Sequence, residues 1–222
     1  MALTTAEAYL LVTEHIGQKP VLRTRFTTQA YFVFGAVLDL LQRGGLQIAG
    51  GRLALGDPTV LTTQPEFLKP LCDRLQADLP EAKTPEESLK FVTSWTIANA
   101  LYEGVMAQLK KQRDVTPQVF QNNLKPHVIA VPQPASRQRV RDELVATIRE
   151  RRDNPGLVDL WLILAQQDAL RWVISDHDLP GLEATFADRL AASSDLRAIQ
   201  QLAVTVGGVI QAKKFWMDSW LS

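Results

Sequence analysis

Apolar residues recur at helical spacing along most of this chain and alternate in only two short stretches. Residues 4–14 read as a helix: Thr4 or Thr5 supplies a cap, Glu7 lies in the first turn, and Ala8, Leu11 and Val12 carry the apolar spacing. Gly17 and Pro20 end it. The next helix is predicted from Thr27 or Thr28 to Gln42, where Ala30, Phe34, Val37, Leu38 and Leu41 share one face. Leu46 and Ile48, then Leu53 and Leu55, alternate on either side of Gly50-Gly51. Two glycines provide the positive φ angles of a tight turn, so this is a hairpin.

Residues 56–65 read as loop, broken by Pro58 and Pro65, and a short helix spans Phe67 to Leu79. Thr84-Pro85-Glu86-Glu87 is a helix start, with Thr84 as cap, Pro85 in the first turn and Glu87 completing a capping box. Helical pattern continues to about Lys111 with a break near Thr93-Ser94, and Ala98, Leu101, Val105 and Leu109 form its stripe. Val115 to Val131 is a second predicted hairpin, turning at Asn122-Asn123. Ser136 caps a helix through Arg151, which Asp153-Asn154-Pro155 breaks. Leu157 to Ile174 suits a central buried helix, and Leu182–Leu190, Ser194–Gln200 and Leu202–Trp220 complete the pattern. Helix dominates and strands pair locally, so the fold class is mainly α with two short β-hairpins, in one domain spanning 1–222. Helix-then-hairpin occurs twice, which raises a winged-helix-like nucleic-acid binder as an alternative.

Charge weakens that alternative. Lys plus Arg and Asp plus Glu both total 24, whereas phosphate-binding chains usually carry a basic excess. No apolar run approaches the roughly 20 residues that span a bilayer, and the start lacks a basic signal-peptide region, so the expectation is a cytoplasmic protein with at most peripheral membrane contact. Cys72 is the one cysteine and reads as a core filler between Leu71 and Leu75. Phosphate-loop, nucleophile-elbow and H-E-x-x-H motifs are missing, and His15, His127 and His177 are scattered. Asp176-His177-Asp178 reads as an exposed helix-end loop. No catalytic residue, metal or cofactor is expected, and the protein is read as not an enzyme.

Basic residues carry the more specific chemistry. Arg23 and Arg25 flank Thr24 ahead of the second helix, and Arg137, Arg139 and Arg141 alternate in ASRQRVRDEL. Guanidinium groups at loops and helix starts suit phosphate or anionic head groups, because the planar fork donates paired hydrogen bonds. The competing reading of the 137–152 run is a solvated face paired with Asp142, Glu143 and Glu150. Most tryptophans fall at core positions, whereas Trp216 and Trp220 form a candidate lipid- or partner-facing edge.

In order along the chain, these segments resemble the Golgi phosphoprotein 3 family, including its bacterial members. The similar stretches are Leu10-Leu11-Val12-Thr13-Glu14, LLQRGGLQI, GRLALGDPT, SLKFVTSW, the helix ending near Val115, the second hairpin with its Arg-rich helix, and Asp153-Asn154-Pro155. The resemblance implies a helical core ringed by amphipathic helices. It also implies a non-enzymatic peripheral membrane adaptor that binds phosphatidylinositol 4-phosphate and engages cytoplasmic tails of membrane proteins. Self-association through a hairpin, here around residues 127–137, would make a homo-oligomer. The family's phosphoinositide-binding Trp and Arg positions fall on Thr24 and Val33, and its later basic pair on Tyr102 and a neighbour, so none of those residues is carried over. The leading expectation is an adaptor that recognises an anionic membrane lipid through Arg23, Arg25, Arg137, Arg139 and Arg141, with no nucleic acid. The other alternative is a helical protein-interaction scaffold without lipid binding.

Overall fold

The computed structural model describes residues 3–14, 25–121 and 126–221. Arg23, Thr24, His15, the Gly17 and Pro20 helix end and the Asn122-Asn123 turn lie outside the described residues, as does the side chain of Trp220. The fold is mainly α with two antiparallel two-stranded hairpins.

Helix α1 (Thr5–Thr13) is buried on every side. Such a helix is held by its surroundings, since burial all round leaves no solvent face. Its N-terminus carries the predicted capping box: Thr4 Oγ1 accepts from Glu7 N and Glu7 Oε2 accepts from Thr4 N. Helix α2 (Phe26–Gln42) packs on α1, and both pack on α7 (Pro155–Gln166), whose N-cap is Asn154 with Pro155 in the first turn. One apolar core runs from Ala6 in α1 to Ile210 near the C-terminal end, with Tyr9, Phe32, Phe34 and Trp161 among its fully buried side chains.

Strands β1 (Leu46–Ala49) and β2 (Arg52–Leu55) turn at Gly50 and Gly51, both with positive φ, as expected of a hairpin turn that matches strand twist. This hairpin rests on α2 and on a 3₁₀ segment at Glu87–Thr93, where Leu53 N donates to Ser88 Oγ. The 56–65 stretch differs from the loop reading, because it contains a short helix, α3 (Pro58–Thr62), capped by Asp57. The predicted 67–79 helix is a 3₁₀ turn at Glu66–Leu68 followed by α4 (Lys69–Asp78), where Cys72 is buried. Burial pushes the Cys72 thiol up to about 11, so it remains protonated as a core side chain.

Ser94 caps α5 (Trp95–Lys111) at the predicted break. Gly104 within it has a packing reason, since a methyl group there would overlap the Phe67 ring. Strands β3 (Val115–Gln121) and β4 (Pro126–Pro132) form the second hairpin, pinned to α5 where Ala130 N donates to the Tyr102 hydroxyl at 2.8 Å. Helix α6 (Pro134–Arg149) begins earlier than expected: Pro134 takes the first turn, and Ser136 donates to Asp114 Oδ1 at 2.5 Å instead of capping. The expected helix from Leu157 to Ile174 stops at Gln166. Asp168 adopts φ +55°, Ala169 N donates back to Leu164 O, and a 3₁₀ turn follows at Leu170–Trp172. Helix α8 is Leu179–Ala192, and the two predicted terminal helices are one, α9 (Ser194–Leu221).

Candidate functional site

Arg25 and the α6 arginines do different work. Arg137 is half-buried: its Nε donates to Leu11 O at 3.0 Å and its Nη2 donates to Glu14 O, so it satisfies carbonyls at the end of α1. Burial and the neighbouring Arg141 guanidinium pull its pKa down, while the Glu14 carboxylate opposes them. Arg141 Nη2 donates to Trp172 O at 3.1 Å and holds the 3₁₀ turn after α7. Arg139 lies on another face and pairs with Asp114 at 2.9 Å. It lines a polar cleft of about 750 Å³ together with Glu143, Arg152 and Asp153. The alternating arginines therefore do not form a joint anion-binding surface. Arg137 and Arg141 donate to helix-end and turn carbonyls and Arg139 to a carboxylate, so the structure does not bring the three together on one face.

Arg25 is exposed at the N-cap of α2, and its side chain makes no capping hydrogen bond. Phe26, the first residue of α2, lines a cavity of about 430 Å³ with Ala30, Trp95, Ala98, Lys213 and Met217. Trp95 differs from the expectation that most tryptophans sit at core positions, being 59% exposed. It is the first residue of α5, directly after the Ser94 cap. On α9 the string Lys213-Lys214-Phe215-Trp216-Met217 is exposed, with Phe215, Trp216 and Met217 at 74, 64 and 43%. Trp216, a candidate edge residue in the sequence, is thus exposed.

Among the described residues, none of Arg25, Lys213 and Lys214 has an ion-pair partner. This region therefore combines large apolar side chains in water with three cations that lack an ion-pair partner among the described residues. Exposed apolar clusters of this kind mark interaction surfaces, and aromatic side chains beside lysines suit the boundary between water and hydrocarbon. Sequence reasoning missed Trp95, Phe215 and Met217. The signal for the last two was local, a Lys-Lys pair running directly into three large apolar residues.

Val33 is fully buried in α2, and the Tyr102 hydroxyl accepts from β4. Among the described residues no group of three or more His, Cys, Asp or Glu side chains is placed to hold a metal. None of the described helices is long and apolar enough to cross a membrane. No family model and no curated protein matches this chain.

Proposed function

We propose that this protein is a peripheral, non-enzymatic membrane-binding protein that docks on an anionic lipid surface, in the manner of the Golgi phosphoprotein 3 adaptors its sequence resembles. The observation that carries the reading is the cavity that exposed Trp95 and Met217 line with Lys213, with Arg25 next to its Phe26 wall and exposed Lys214, Phe215 and Trp216 on the adjoining turn of α9; among the described residues none of the three cations has an ion-pair partner. Apolar side chains gain by leaving water for the acyl boundary, and lysines gain by approaching anionic head groups. Either contribution alone gives marginal binding, and stable anchoring takes both. The contact surface moves accordingly from the α6 arginines to the start of α2 and α5 and the end of α9. Arg25 is the one described residue of the expected site that belongs to it.

Vesicle flotation tests this directly. Recovery is expected with vesicles containing phosphatidylserine or a phosphoinositide and not with pure phosphatidylcholine, and it falls as salt rises. Equal recovery with neutral and anionic vesicles would sink the reading.

A further inference from the structure

We infer that the cavity between α2, α5 and α9 seats one acyl chain of a bilayer lipid, with the lipid's anionic head held at the mouth by Lys213. This rests on the membrane reading above and adds an occupant to it. The walls are Phe26 and Ala30 from α2, Val92 from the 3₁₀ segment, Trp95 and Ala98 from α5, and Met217 from α9. Its polar neighbours are already committed. Ser94 Oγ accepts from Ile97 N, Thr93 Oγ1 donates to Lys90 O, and Gln29 has its partner within the protein.

Nothing in the walls therefore calls for a polar ligand, and among the described lining residues Lys213 is the single charge. Apolar walls with a cation at the edge complement a hydrocarbon chain that ends in an anion. A volume of about 430 Å³ falls in the range of cavities that hold one small ligand. A folded partner would need a face of roughly 800 Å² instead. Met217 supplies an adaptable thioether wall, and the exposed Trp95 indole suits the head-group level. Trp216 adjoins Met217 on α9 and is exposed, so the surface beside the cavity is the one read as meeting the leaflet.

The test uses the full chain carrying Trp216→Phe and Trp220→Phe, which leaves Trp95 as its most exposed indole. Anionic vesicles whose acyl chains are brominated are expected to quench Trp95 emission. Ala98→Leu, which fills the cavity from α5, is expected to relieve that quenching while flotation weakens by roughly fifteenfold or less, the equivalent of about two methylenes returned to the leaflet. Met217→Asn, at an exposed position that tolerates change, is expected to relieve it in part. Circular dichroism and thermal melting confirm that both variants fold.

Quenching retained in both folded variants means that Trp95 merely lies against the leaflet, and it overturns the proposal. Normal flotation without quenching in the parent overturns the acyl seat and leaves the membrane reading standing. Absence of flotation removes both. Quenching by a free brominated fatty acid, but not by vesicles, overturns the bilayer source.

Discussion

Arg137, Arg139 and Arg141 alternate in sequence, and alternation within a helix separates neighbours by roughly 200° around its axis. That geometry sends Arg137 and Arg141 towards α1 and the Leu170–Trp172 turn, and Arg139 towards Asp114. Residue type and spacing in one sequence show that arginines are present, but not which carbonyl or carboxylate each meets. Arg137 reaches residues more than 120 positions away, so its role was illegible before α1 and α6 were placed side by side. By contrast, the capping box of Thr4 and Glu7 was legible, because donor and acceptor lie three residues apart. Replacing Arg137 with Met keeps much of the apolar stem and leaves the carbonyls of Leu11 and Glu14 without this donor. Stability is expected to fall by about 1–3 kcal/mol in chemical denaturation. Flotation of the folded variant on anionic vesicles is expected to be unchanged, and a selective loss of flotation would return Arg137 to the lipid site.

At the scale of elements, both hairpins and the long amphipathic helices follow from local periodicity, whereas several helix ends do not. Helices α5, α6 and α7 are followed by Arg113, Arg151 and Asp168 in the left-handed region, positions where glycine usually announces the stop. Without that glycine, the apolar run after α7 reads as one longer helix. The junction of α1, α2 and α7 is likewise a tertiary product. Asp39 from α2 accepts from Thr5 N and Ala6 N at the start of α1, and Asp159 from α7 accepts from Gln42 Nε2 at 2.5 Å. Burial pushes Asp159 up to about 7, with Gln42 opposing and Asp39 adding to the rise, and burial raises Asp39 as well. The folded state therefore holds these protons more tightly than the unfolded chain. Their contribution is fully present below about pH 4 and is lost as pH rises towards 7, where the Asp159 part levels off. Asp159→Asn keeps an oxygen for Gln42 and removes this charge. The variant is expected to be more stable than the parent at pH 8, on the order of 2–4 kcal/mol, with the advantage vanishing near pH 4. Denaturant melts across that range check it, and a pH-independent difference would count against ionisation as the cause.

At the scale of the whole molecule, a net charge of zero conceals how unevenly the charges are used. Arg149, Arg151 and Arg152 pair with Asp178, Asp188 and Glu150, so their fields are largely cancelled within a few ångströms. Arg25, Lys213 and Lys214 have no such partners among the described residues, and their potential reaches outward over a Debye length of about 10 Å at 0.1 M salt. Location, not total charge, then decides attraction to an anionic surface. Two double variants that lower net charge equally separate these ideas: Lys213→Gln with Lys214→Gln, and Arg151→Gln with Arg152→Gln. The lysine pair is expected to weaken binding to anionic vesicles roughly thirtyfold, at about 1 kcal/mol for each cation near the surface. The arginine pair is expected to change it little. Raising salt should erase most of the difference, because the lysine contribution is screened while the aromatic contribution remains. Equal losses from the two double variants would mean that total charge governs binding, and that the end formed by α2, α5 and α9 has no privileged role.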